Sequence, residues 1–252
     1  MRLTPALVAV ALVLAAAGCG GDDKAKGTNF GAIGPIGKGA AGVWIYTPKG
    51  KPKDLVVYFH GQGGPQEATP VNHLAWINHL VRRGSLVIYP RYEMAYEVDP
   101  MKYVVQAMLT ARNRVDVKSL PVLSLGYSRG GAIAVEYAAV ADRFSLPVPD
   151  EVLSVFPAPE GNQQNKIDLT TIPHSTKLRI MVGKQDQIVD GTGARYLLRR
   201  LEAGGYPGEN ISLAFVGSHG SFVADHFAPL QTTPAAQAAF WSPTDRLLDA
   251  LD

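Results

Sequence analysis

The period of the hydrophobic positions changes along the chain in a regular way. Asp54-Leu-Val-Val-Tyr-Phe-His60 is an almost unbroken apolar run, Ser85-Leu-Val-Ile-Tyr-Pro90 is a second, and Val122-Leu-Ser-Leu125 is a third. Short runs without polar alternation predict strands buried on both faces. Further strands are predicted at Val43–Tyr46, 151–156, 177–183 and 211–216. Between them the spacing turns helical. Leu74, Ile77, Leu80 and Val81 mark an inner face over about 70–83 that Gly84 closes, and Asp99-Pro100 opens a helix from Met101 to about Asn113. Ala132, Ile133, Val135 and Ala138 mark a third helix, residues 192–203 a fourth, and the tail over about 234–251 a last one. The segment 157–176 reads as irregular. Strands alternating with helices of this length predict an α/β class: one domain, with a mostly parallel twisted sheet covered by helices on both faces. Ligands of such sheets sit outside the carboxyl ends of the strands, so polar residues just after strands are the candidates for chemistry.

Composition narrows the functional classes. With 252 residues, 46% hydrophobic and 18% charged, the chain is large enough for one α/β core, and a net charge of +2 gives no case for nucleic acid or a charged substrate. The N-terminus differs in kind. Met1-Arg2 precedes an uncharged apolar run from Ala6 to Ala17, too short to span a bilayer and suited to the apolar region of an export signal. The run ends Ala16-Ala17-Gly18-Cys19, which resembles a bacterial lipobox and implies lipid attachment at Cys19 after removal of residues 1–18. The expected localisation is the bacterial cell envelope, lipid-anchored on the outer side of the cytoplasmic membrane or in the outer membrane. Cys19 is the only cysteine, so no intramolecular disulfide is possible. Residues 19–38 read as a flexible tether and 39–252 as the folded domain.

Gly126-Tyr-Ser128-Arg-Gly130 lies between the third apolar run and its helix. A G-x-S-x-G segment in that setting places a serine on a sharp strand-to-helix turn, where the glycines remove the Cβ atoms that would clash. The alternative is a simple N-cap serine. Three other segments follow strands: His60-Gly-Gln62-Gly-Gly64, Gly183-Lys-Gln-Asp186 and Gly217-Ser-His219-Gly-Ser-Phe222.

Serine, acid and histidine in that order, with a glycine-rich loop upstream, resemble the α/β hydrolases over nearly the whole chain after about residue 40. Lacking room for a long cap, the chain is most similar to dienelactone-hydrolase-like and cutinase-like esterases. The resemblance implies Ser128 as nucleophile, His219 as base and Asp186 as its acid partner, with backbone amides of Gln62 and Arg129 forming the oxyanion hole. Asp190 and, more remotely, Asp168 are alternatives for the acid, and His226 for the base. His60 is expected to shape its loop by hydrogen bonding, and His73, His79 and His174 to lie at the surface or at caps. Tyr127, Tyr92 or Tyr96, Phe156, Glu160, Asn162, Gln163 and Gln164 are candidate walls of an open cleft. No metal-ligand spacing and no phosphate loop is present, so no cofactor is expected. The expected reaction is hydrolysis of a small-molecule or envelope carboxylic ester through an acyl-enzyme. Acyl transfer to an envelope acceptor and a non-catalytic binding lipoprotein are the other readings.

Overall fold

The computed structural model describes residues 31–63, 68–94, 99–159 and 167–251. The export signal, Cys19, Tyr96 and Glu160 to Gln164 lie outside the described residues. Among those described, eight strands form one sheet in the order β1-β2-β4-β3-β5-β6-β7-β8. They are β1 (Gly31–Ile36), β2 (Val43–Thr47), β3 (Asp54–Phe59), β4 (Ser85–Pro90), β5 (Val122–Tyr127), β6 (Glu151–Val155), β7 (Lys177–Gly183) and β8 (Ile211–Val216). β1 and β2 run antiparallel to their neighbours, and every pairing from β4 through β8 is parallel.

Each central strand feeds two cores. Leu55, Val57 and Phe59 of β3 point to one face, where α2 (Pro100–Arg112), α3 (Arg129–Val140) and α4 (Thr192–Ala203) cover them. Val56 and Tyr58 point to the other, under α1 (Leu74–Arg83) and the C-terminal segment of α5 (Pro234–Ala236), a π-turn (Gln237–Trp241) and α6 (Ser242–Asp249). Burial on both faces is why these strands read as unbroken apolar runs. α1 buries Trp76, Ile77, Leu80 and Val81, roughly 1.5–3 kcal/mol for each large side chain. It ends at Gly84, whose φ of 114° is open to glycine and whose amide donates to the Leu80 and Val81 carbonyls. His79 and Arg83 of α1 pair with Asp245 and Asp249 of α6, fastening the last described helix to the first described α-helix.

One expectation changes here. Gly31–Ile36, assigned to the tether, is an edge strand in register with β2, from Gly31 opposite Thr47 to Ile36 opposite Val43. Its side chains are mostly exposed, so it carries no apolar pattern to read; main-chain bonding to β2 holds it. His73 takes the N-cap position of α1, one of the two places expected for it, and is buried there with Nδ1 3.2 Å from the Tyr58 hydroxyl.

Candidate active site

β5 is flanked by β3 and β6 in the middle of the sheet and ends in the elbow. Ser128 adopts φ 57°, ψ −122°, a strained conformation for a residue with a Cβ, which costs about 1–3 kcal/mol. The surroundings hold it there. Its amide donates to the Val155 carbonyl at 2.9 Å, and its carbonyl accepts from Gly131 and Ala158. The turn brings α3 back across β5 and β3 so closely that a Cβ on Gly126 would overlap the Gly130 carbonyl, and one on Gly130 the Phe59 and His60 carbonyls. Both glycines are steric requirements of the crossing.

The histidine over Ser128 is His226. Its Nε2 is 2.9 Å from Ser128 Oγ and its Nδ1 is 2.8 Å from Asp186 Oδ2. Ser128, Asp186 and His226 are 7%, 4% and 6% exposed. Asp186 is aimed by its own loop: Oδ1 accepts from the Ile188 amide at 2.9 Å and the Val189 amide at 3.1 Å. The histidine loop is braced by Tyr127, whose hydroxyl donates to the His226 carbonyl at 2.8 Å. A carboxylate can only accept, so Nδ1 carries the proton and the Nε2 lone pair faces the serine hydroxyl. That is the tautomer a general base needs.

His219 does not reach the serine. It stands exposed in a tight bridge with Phe222, with paired main-chain bonds of 3.0 and 2.9 Å. Gly220, at φ 55°, serves this turn. The glycines that make His219 resemble a catalytic loop therefore build the bend that precedes the loop. Asp190 is exposed and faces Arg195 at 3.9 Å, and Asp168 caps the turn at Leu169–Thr171, where hydrogen bonds from Thr170 hold its carboxyl below the usual range.

The other candidates divide. Gly61 runs against the elbow, with its would-be Cβ 3.4 Å from Ser128 Cβ, so Gln62 follows directly on the serine. Arg129 is the first residue of α3, and its guanidinium pairs with buried Glu93 from the loop after β4. Three residues expected to wall the cleft turn inward instead. Tyr92 (φ 42°) is fully buried and stacks on His60, and Phe156 (φ 49°) packs edge-on against Phe240. Tyr127 is buried beside the His226 ring, 5.2 Å between centroids. Tyr92 and Phe156 both have positive φ, a backbone turn that counting from the strand end does not show. Large apolar side chains are exposed around the triad at Ile188, Val223 and Phe227, a signal visible in the sequence as apolar residues within three positions of Asp186 and His226. A groove of about 900 Å³ between Arg112 and Asp150 lies at the opposite end of β5 and contains none of these residues. Among the described residues, no group of three or more His, Cys, Asp or Glu stands close enough to hold a metal.

The chain is similar to carboxyl esterase 2 of the fungus Tuber melanosporum, with a TM-score of 0.64 and 18% identity over 92% of this chain and 90% of that one. The fold is the α/β-hydrolase fold. The chain is also similar in fold to esterase B from Lactobacillus rhamnosis, in a structure with a C4-C4 SN3 tributyrin phosphonate (TM-score 0.63, 15% identity, 88% and 85% covered). A third similar structure is MGS-M1, an α/β-hydrolase enzyme from a Medee basin deep-sea metagenome library (TM-score 0.58, 16% identity, 88% and 97% covered). No protein-family model and no curated protein matches the sequence.

Proposed function

We propose that the protein is a serine hydrolase of carboxylic esters that works through an acyl-enzyme on Ser128. The observation that carries this is the continuous chain from Ser128 Oγ through His226 to Asp186 Oδ2, at 2.9 and 2.8 Å. As Oγ attacks an ester carbonyl, His226 Nε2 takes its proton, and the Asp186 carboxylate stabilises the imidazolium. The tetrahedral oxyanion is met by the amides of Gln62 and Arg129, aided by the N-terminal end of α3. His226 then protonates the leaving alcohol. Water repeats the sequence in reverse and frees the acid. The exposed Ile188, Val223 and Phe227 suit an apolar acyl group, and a tributyrin phosphonate is the ligand described for one of the similar esterases.

The short connection between β6 and β7, over 157–176, leaves no room for a cap domain and favours the dienelactone-hydrolase-like and cutinase-like plan with an open site. Ser128→Ala should lower kcat for a short-chain nitrophenyl ester by about 10⁴-fold or more, with the thermal midpoint little changed because alanine keeps the Cβ and the same backbone. A fluorophosphonate should label the parent protein and not the variant. Labelling that persists in Ser128→Ala would place the nucleophile elsewhere, and release of acyl product only with an added envelope acceptor would redirect the reading to acyl transfer.

Export and lipid anchoring at Cys19 rest on the N-terminal pattern. Cys19 stands twelve residues before β1, whose first residue pairs with the end of β2 away from the triad. Cells fed an alkyne-tagged fatty acid should yield a labelled, membrane-associated protein, and Cys19→Ser should be unlabelled. An unlabelled parent protein would remove the anchor.

A further inference from the structure

His60 is fully buried between two tyrosine rings, with Tyr92 4.2 Å away at 13° and Tyr89 5.5 Å away at 20°. Both of its ring nitrogens face main-chain carbonyls. Nδ1 is 2.6 Å from the Gly61 oxygen, and Nε2 bonds the Arg91 oxygen. A carbonyl can only accept, and a neutral imidazole has only one N–H to give. One of its two tautomers satisfies Gly61 and the other Arg91. Either leaves a buried lone pair pointed at a carbonyl oxygen. The imidazolium alone satisfies both. His226 makes the contrast plain: one partner is an acceptor and the other a hydroxyl, so its neutral form fits.

We propose that His60 is a positioning residue held as an imidazolium at neutral pH, and that its two N–H groups clamp the oxyanion loop onto the loop after β4. The proposal rests on the ester-hydrolase reading above. The clamp acts through one peptide group. The Gly61 carbonyl and the Gln62 N–H belong to the same planar unit and point in opposite directions. Fixing the Gly61 oxygen on His60 therefore fixes the direction of the Gln62 N–H, at a point where Gly61 lies against Ser128. Donation to that carbonyl from a charged group also polarises the amide and strengthens its N–H as a donor.

Burial opposes the charge, so its surroundings decide the outcome. From the β4 side, Tyr89 and Tyr92 offer their ring faces, which attract a cation. Their hydroxyls are turned to the carbonyls of Thr69 and of His60 itself. The Arg91 guanidinium points away, to the Ala68 and Gly39 carbonyls and over Trp44. Glu93, on the same loop, brings a buried carboxylate that Arg129 of α3 pairs. No cation among these donates to the imidazole, and two charge-assisted bonds replace one neutral bond. With a single N–H the ring can hold the Gly61 oxygen or the Arg91 oxygen but not both, so the second N–H is what joins the two loops.

The test uses wild-type protein labelled with ¹⁵N-histidine, its His60 ring signals assigned through the Tyr92 ring. Both ring nitrogens should show the protonated shift at pH 7, each coupled to its own proton. One bare nitrogen at pH 7 overturns the proposal. In a second arm, His60→Gln, which cannot span both carbonyls with two ring N–H groups, should show kcat about ten- to a hundredfold lower with KM little changed. An unchanged kcat in the variant overturns the proposal. Fluorophosphonate labelling of Ser128 separates the two readings: its absence removes the hydrolase reading, whereas the histidine spectra judge the clamp independently.

Discussion

His226→Ala should reduce kcat/KM on a nitrophenyl ester by about a thousandfold or more, while His219→Ala should leave it within about twofold. The ratio between them follows from placement. His226 is the only described side chain in hydrogen-bond contact with both Ser128 and Asp186. Without it, the serine proton has no acceptor and the leaving alcohol no donor. The residual rate would come from the oxyanion amides and binding alone. His219 is exposed, and its main chain, which any residue supplies, makes the bridge to Phe222. Measuring both variants beside their thermal midpoints checks the result. Equal losses in the two, at unchanged stability, would contradict the placement of His226.

The difference between these two histidines also shows what pattern reading reaches. Strands β2 to β8 and the helices between them follow apolar runs and helical spacing closely, because each central strand is buried on both faces and so leaves a plain signature. The elbow is similarly legible: a serine between two glycines, a strand before and a helix after. The base is not, because its position depends on a distance across the sheet. Ser128 ends β5, and β8 lies three strands away, about 14 Å at roughly 4.8 Å per strand. His219 follows Val216 by three residues, a reach of only about 10 Å even if the chain ran straight across. His226 follows it by ten and can return over β7 and β6. Asp186, two strands from β5 and three residues beyond the end of β7, is close enough for its side chain to meet a histidine that comes to it. Strand order thus settles a choice that glycine neighbours decide wrongly. Tyr92 and Phe156 fail as cleft residues for a different reason. Each adopts positive φ, and the residue types do not announce it.

Gly130→Ala should be the most destabilising single methyl added anywhere near the elbow, lowering stability by about 3 kcal/mol or more, or preventing folding, whereas Gly208→Ala should change it by less than about 0.5 kcal/mol. At Gly130 the new Cβ would overlap the carbonyls of Phe59 and His60. Neither carbonyl can give way cheaply. Phe59 ends β3, which is paired to β5 on one side and β4 on the other, and its ring is fully buried against Tyr92 and Tyr137. The His60 carbonyl accepts from the buried Tyr92 hydroxyl. The alternative is for α3 to lift from the sheet. That movement would strip contacts from Ile133, Ala134 and Tyr137 and shift the Arg129 amide away from the serine. Gly208 is the control: an added Cβ there has nothing within 4 Å, and its φ is not in the left-handed region. Denaturant unfolding reads the stability of both variants directly. For Gly130→Ala, any folded fraction should also lose ester hydrolysis out of proportion to its population, because relief of the overlap displaces the Arg129 amide, the proposed oxyanion donor, before it unfolds the domain. Retained stability and full activity together would mean that α3 does not cross β3 at this distance.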